Sequence, residues 1–406
     1  MLDNAKISKL RNIVFLKDVL IITLTAFGGP QMHIAMFLER LVERRKYISK
    51  EDLLELNSLC QILPGPTSTQ TLTAVAFKMG GPKLAFPTLL IWLFPAATLM
   101  TLFVLTRNYI PVEIFQYIMP LTIGFVLYAA FKMFLSGKKD ILSIGITIIA
   151  AVIGSLITSP IIFPILILMG GVLSSYFGNH KFIPNDKPII NVKWANLTLF
   201  GSIFIIAAVV GGLTKYVDIK EVSQPLLLFE NTYRMGSLVF GGGNVLIPMI
   251  ITEFVDFKNY LSIEEFQTGY GLLQGIPGPR FTIATYVNGM AMQNFGYGPL
   301  GQILGCVVGT VAIFLPGTLL IFFVYPIWGQ LKTYPIVRRS LDGIIAAAIG
   351  LVFAAAVLLF IPLVAKADGN IIVSLTIILV TFLLLYYTKI PSPILVVLAI
   401  LAGMVF

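Results

Sequence analysis

Displacing the chain by 213 residues lays one half on the other without a gap. "FGGP" from Phe27 falls on "FGGG" from Phe240, "YISKEDL" from Tyr47 on "YLSIEEF" from Tyr260, and "QILPGP" from Gln61 on "QGIPGP" from Gln274. So many unusual positions agreeing in register mark an internal duplication, and a duplication restricts the fold: what one copy builds the other builds again. The middle match carries its own physics. Ser49 with Asp52, and Ser262 with Glu265, read as S-x-x-D/E capping boxes that start a helix at the same place in each copy. The last match breaks helices, because proline removes a backbone donor and glycine loosens the chain.

These breaks lie in very apolar surroundings. Of 406 residues 57% are hydrophobic and 12% charged, against about 25% charged in a soluble domain, so the chain reads as an all-α polytopic membrane protein. Leu84–Thr106 and Gly343–Ala365 run without a charge, each longer than the roughly 20 residues that span a hydrocarbon core. The formal charge of +9 is carried by short loops between apolar runs, the pattern of an inner-membrane protein and not of a nucleic-acid binder. Cys60 and Cys306 form no disulfide framework. Lys17 and Asp18 interrupt the first apolar stretch, so that stretch reads as mature protein and not as a signal peptide.

Each copy reads alike. A segment ending at a glycine cluster is followed by an amphipathic helix, a capped helix, Pro-Gly-Pro, a short polar helix and four apolar runs. Those runs cover 84–106, 114–131, 141–157 and 160–178 in the first copy, and 303–325, 343–365, 370–388 and 391–406 in the second. The expected organisation is a first transporter repeat at 1–178, a linker with one extra span at 179–224, and a second repeat at 225–406. Between the copies lie the polar stretch His180–Lys193 and the apolar run Asn196–Thr214. Four crossings plus one leave the second copy inverted, the plan of many secondary transporters. Thr67–Gly80 and Arg280–Gln293 measure about 21 Å as helices, too short to cross. Reading them as re-entrant gives nine full crossings plus re-entrant segments, with the N-terminus inside and most Lys and Arg cytoplasmic. Full crossing gives 13 spans and a weaker charge bias. The loop with Arg40, Arg44, Arg45, Lys46 and Lys50 is basic, whereas its counterpart with Glu253, Asp256, Glu264 and Glu265 is acidic.

A break in apolar surroundings needs a partner for its freed backbone groups. After Pro64-Gly65-Pro66 come Thr67, Ser68 and Thr69; after Pro277-Gly278-Pro279 come Arg280, Phe281 and Thr282. With proline at the first helical position, these residues offer amide hydrogens and hydroxyls at a helix start, which carries about half a positive charge and binds anions. Gly28 and Gly29, and Gly241, Gly242 and Gly243 followed by Asn244, let backbone approach a ligand before the next helix. Two copies would aim four helix starts at one midplane pocket. Arg280 reads either as a structural or as an anion-contacting cation. Glu230 and Arg234, at i and i+4, read first as an ion pair and otherwise as a proton site and a second anion contact. His33 is a titratable candidate or a hydrogen-bonded fixture. Gln61 and Gln274 recur before the breaks and suit either freed carbonyls or a ligand. There is no HExxH, no GxSxG and no intramembrane aspartate pair, so an enzyme is not expected, and nothing calls for a cofactor or metal.

"FGGPQMHIAMFLERLVERRKYISKEDLLELNSLCQILPGPTSTQ", "FGGGNVLIPMI", "QGIPGPRFTIATYVNG" and "AIFLPG" resemble the signatures of the chromate ion transporter family, in order and in both halves. The resemblance implies two homologous halves of opposite orientation, about 13 spans, and export of chromate across the bacterial plasma membrane. Its glycine motifs fall on Gly28, Gly29, Gly241 and Gly242, its Pro-Gly-Pro motifs on Pro64–Pro66 and Pro277–Pro279, and its histidine on His33. Arg280 departs from the family's usual apolar residue, so affinity or substrate is open to differ. The expected partners are chromate or a related divalent oxyanion such as sulfate, the lipid bilayer, and a second copy in a homodimer. An anion channel, or a transporter of a different anion, is the alternative.

Overall fold

A computed structural model describes residues 4–157, 159, 161–178, 194–213, 220–240, 242–328, 335–365, 371–388 and 390–405. The polar linker 180–193 and Gly241 lie outside these. Among the described residues the structure is all helix, with seventeen α-helices and no strand. The first copy comprises α1 (Asn4–Thr25), α2 (Pro30–Phe37), α3 (Lys50–Ile62), α4 (Thr67–Gly80), α5 (Pro82–Thr106), α6 (Ile118–Ser136), α7 (Ile141–Leu156) and α8 (Ile162–Phe177). Helix α9 (Ala195–Leu213) follows. The second copy comprises α10 (Lys220–Leu238), α11 (Leu246–Ile250), α12 (Ile263–Leu273), α13 (Ile283–Asn294), α14 (Pro299–Val324), α15 (Pro335–Ala365), α16 (Ile371–Tyr387) and α17 (Ser392–Val405).

Local conformation repeats with the same 213-residue offset as the motifs. Helices α2 and α11 each continue into a π-helical turn, Leu38–Arg44 and Ile251–Phe257. Each turn is followed by a left-handed residue, Lys46 at φ 53° and Asn259 at φ 52°. The two caps also correspond. Ser49 accepts the Asp52 amide and Ser262 the Glu265 amide. Only the second closes the full reciprocal box, because the Asp52 carboxylate reaches Lys78 at 2.6 Å instead.

All nine apolar runs form helices. Four described helical stretches are long and apolar enough to cross a membrane: Pro82–Tyr109, Glu113–Ser136, Pro299–Ile327 and Arg339–Ala365; five shorter apolar helices accompany them. Their outer faces carry exposed Leu90, Phe94, Ile148, Leu168, Val307, Leu379 and Val397, as expected where lipid is the solvent. The chain is a multi-pass membrane protein. Apolar burial drives little association between helices already in lipid, so close backbone packing takes over. Helix α15 packs on α6, α7 and α8, and any side chain at Gly343 would strike the Gly170 carbonyl, as one at Gly350 would strike that of Thr147.

The two short polar helices are interior. Thr67–Ala76 of α4 and Ile283–Met292 of α13 are buried at every position. Helix α4 packs against α3 and α5, and α13 against α14 and α5. Irregular backbone at membrane depth is tolerated where protein surrounds it, and the helices that follow the breaks have that surrounding.

Candidate functional site

The two Pro-Gly-Pro corners meet in the interior through a reciprocal exchange. Gly65 donates its amide hydrogen to the Val239 carbonyl at 2.7 Å, and Gly278 donates to the Ala26 carbonyl at 2.9 Å. Ala26 and Val239 are counterparts in the two copies, so each break is tied to the end of the other copy's first helix. Both glycines hold positive φ, 117° and 126°, where any side chain is strained. Each also presses on a long helix of the other copy just after a proline. A Cβ at Gly65 would lie 3.2 Å from Cα of Gly317, and one at Gly278 would lie 2.9 Å from Cβ of Ala96.

Carbonyls freed near the first break find a side chain that sequence reading missed. Gln70 donates through Nε2 to the carbonyls of Pro64 at 2.9 Å and Gly317 at 3.1 Å. Its only sequence signal is polarity one turn into a buried helix. Gln61, its expected competitor, is exposed and does not join the group.

The helix starts differ from expectation in one respect. Pro66 and Pro279 cap their helices in extended conformation, ψ 92° and 133°, and are not the first helical residues. The positive-φ glycine before each proline delays entry into helix by one residue. Ser68 and Thr69 are then engaged within the first copy. His33 Nδ1 accepts from the Ser68 hydroxyl at 3.0 Å, its Nε2 faces the Ala26 carbonyl at 3.3 Å, and Trp92 donates to Thr69 Oγ1 at 3.0 Å. One neutral tautomer, with hydrogen on Nε2, satisfies both ring contacts of the buried His33. In the second copy Arg280–Thr282 form a single 3-10 turn before α13, and Thr282 turns its hydroxyl back to the Pro279 carbonyl at 2.7 Å.

Arg280 lies across the glycine breaks of both copies. Its Nη1 donates to Asn244 Oδ1 at 2.6 Å. A Cβ at Gly29 would sit 2.7 Å from its Nε, one at Gly243 would sit 3.1 Å from its Cβ, and one at Gly242 would sit 3.9 Å from Thr67 Oγ1. Gly28, though of positive φ, is exposed. Among the described residues no carboxylate lies within ion-pair distance of Arg280. It instead rests on the start of α2, whose cap Gly29 supplies no side-chain acceptor. First-turn amides have no partner inside their own helix. A part-buried guanidinium beside a helix start concentrates positive potential there, and no carboxylate among the described residues offsets it.

Glu230 and Arg234 do pair, at 2.8 Å, but Arg234 also holds Glu253 at 3.0 Å and Asn231 at 3.2 Å. Glu253, read from the sequence as part of an acidic loop, is buried. In the same region of the first copy, buried Asp18 accepts from Arg40 at 2.7 Å, Arg45 at 2.9 Å and Tyr47 at 2.7 Å. Asn231, Glu253 and Tyr260 replace Asp18, Arg40 and Tyr47 at the 213-residue offset. One corner therefore holds an acid between two bases, and the other holds a base between two acids.

Comparison with known proteins gives this geometry a family. The chromate transporter family model matches residues 13–175 and 226–404. The chain belongs to the chromate transporter family. Similar proteins include an uncharacterized transporter of Methanocaldococcus jannaschii, 28% identical over 89% of this chain and 87% of that one. A chromate transport protein of Pseudomonas aeruginosa is 24% identical over 81% of this chain and 76% of its own length. One from Cupriavidus metallidurans is 25% identical over 93% and 89%. No solved structure matches the chain. The two matched segments of this family member bracket α9 and leave it unmatched.

Proposed function

We propose that this protein is a secondary transporter that moves chromate, or a similar divalent tetrahedral oxyanion such as sulfate, out across the plasma membrane, with one binding site between two inverted repeats. The observation that carries the reading is Arg280, a cation without a carboxylate partner among the described residues, laid on the start of α2 between the glycine breaks of both copies. An oxyanion there accepts charge-assisted hydrogen bonds from the guanidinium and neutral ones from first-turn amides. Few fixed charges hold it, so it is bound and released. Relatives called chromate transport proteins supply the choice of chromate.

Inversion is supported by the two ionic corners. The two corners, which share the matched pairs Asp18/Asn231, Arg40/Glu253 and Tyr47/Tyr260, carry one excess positive charge around Asp18 and one excess negative charge around Arg234. Copies facing the same side would be under the same positive-inside constraint, whereas copies facing opposite sides favour opposite signs.

The test compares Arg280→Ala with Lys258→Ala in sealed vesicles, following chromate with competing sulfate under an imposed pH gradient. Loss of chromate movement for Arg280→Ala alone is the expected result. Equal effects overturn the assignment of Arg280, and chromate current that persists without any gradient coupling replaces the transporter with a channel.

A further inference from the structure

Buried beside Arg280 are two hydrogen-bond donors that find no well-placed acceptor among the described residues. Tyr270, on α12, is 1% exposed, and Gln274, one helical turn later, is 5% exposed. Neither the Tyr270 hydroxyl nor Gln274 Nε2 has a partner in good hydrogen-bond geometry. The side chains of Arg280 and Gln274 approach the hydroxyl as donors to its oxygen, which leaves the hydroxyl hydrogen without an acceptor. The spacing of four residues puts Tyr270 and Gln274 on one face of the helix. Ring stacking on Phe266, with centroids 6.2 Å apart, holds the phenol in place. A phenylalanine would fill this volume without stranding a hydroxyl, and buried polar groups without partners are rare in native proteins.

We infer that Tyr270 and Gln274 complete the oxyanion site with Arg280 and make it prefer oxyanions to halides. The inference rests on the anion-binding reading of Arg280 given above. A phenol O–H, an amide N–H and a guanidinium converge, and among the described residues no anionic group meets them. The missing partner is a compact group with several acceptor oxygens and negative charge. A tetrahedral oxyanion offers a separate oxygen to each donor, whereas a halide offers a single non-directional centre. Directional neutral donors therefore discriminate by shape where Arg280 alone attracts any anion.

The donor set belongs to the second copy only. At the 213-residue offset Tyr270, Gln274 and Arg280 correspond to Asn57, Gln61 and Thr67. Gln61 is exposed and Thr67 carries no charge. The site is thus asymmetric although the backbone around it is duplicated.

The experiment uses full-length protein, wild type, Tyr270→Phe and Gln274→Met, with thermal unfolding in detergent and binding of chromate, sulfate and chloride. Tyr270→Phe removes an unpaired buried hydroxyl, so without anion its melting temperature should equal or exceed that of wild type. Its affinity for chromate and sulfate should fall roughly tenfold, the worth of one hydrogen bond to a charged group, while chloride changes less than about twofold. Gln274→Met keeps the volume and should lower the oxyanion-to-chloride ratio in the same direction. A lower melting temperature with unchanged anion affinities overturns the inference, as does equal loss for chromate and chloride. If Arg280→Ala weakens chromate binding and Tyr270→Phe does not, the inference alone fails. If wild type binds neither chromate nor sulfate, the underlying reading fails with it.

Discussion

Gly29→Ala separates the ligand role of Arg280 from simple backbone strain, because the structure supplies a matched control. Gly29 has φ 80° and ψ −168°, and Gly81 has φ 65° and ψ −161°. Both lie in a region essentially restricted to glycine, so alanine at either costs about 1–3 kcal/mol of backbone strain. Their surroundings differ. A Cβ at Gly81 meets nothing within 4 Å, whereas one at Gly29 falls 2.7 Å from Arg280 Nε and 2.9 Å from its Cζ. The end of a flexible side chain yields at small cost in stability, but the guanidinium is then pushed off the α2 start. A hydrogen bond to a charged group contributes about 1.5–3 kcal/mol, so Gly29→Ala should weaken chromate binding by roughly 10- to 150-fold. Gly81→Ala should leave binding within about threefold while losing similar stability. The assays are thermal unfolding in detergent and chromate binding by equilibrium competition. In an Arg280→Ala background, Gly29→Ala should add almost nothing to the binding loss, since the displaced group is already gone. If Gly29→Ala and Gly81→Ala bind chromate alike, or if the two losses add in full, the guanidinium is not the ligand that the geometry makes it.

Gln70→Glu should destabilise the protein by about 2–5 kcal/mol, because a carboxylate offers no hydrogen to the buried carbonyls of Pro64 and Gly317; an unchanged melting temperature would show that other groups cover them. Asp18→Asn should cost about 1–3 kcal/mol in the same measurement, at the low end for a buried ion pair because the released Arg40 and Arg45 already reach solvent. Asp140 caps α7, and hydrogen bonds from the Ser143 hydroxyl and then its amide, with Lys138 nearby, outweigh partial burial and hold its pKa below the ordinary 3.8. Its contribution to stability is present above that value and is lost as pH falls through the lower folded value. Asp140→Asn keeps the cap without the charge, so melting temperature should depend less steeply on pH below about 4. A slope identical to wild type would remove this carboxylate from the acid limb.

How much of the site was legible depends on how far each feature reaches along the chain. The start of α3, the start of α12 and the bounds of α4 at Thr67 and Gly80 are set by caps, prolines and glycines within a few residues, and all are readable. Gln61 and Gln274 look equivalent in sequence, yet one is exposed and the other buried, because helix packing outside the motif differs between the copies. Glu253 belongs by composition to an acidic loop, but a half-buried arginine from α10 claims it. Tyr270 has no motif at all. It is recognisable only as a hydroxyl without a partner in a filled interior.

The sequence alone determined an all-helical membrane protein made of two copies, each broken at Pro-Gly-Pro and capped at the same serine. Those features follow from backbone geometry and apolar run length, which act locally. Only the tertiary structure decided that Gly65 and Gly278 exchange hydrogen bonds with the opposite copy, that Gln70 covers a carbonyl 247 residues away, and that Arg280 rests on the start of α2. Those contacts join segments more than 170 residues apart. They exist only once both copies dock, because docking alone determines which orphaned amides, carbonyls and charges face one another.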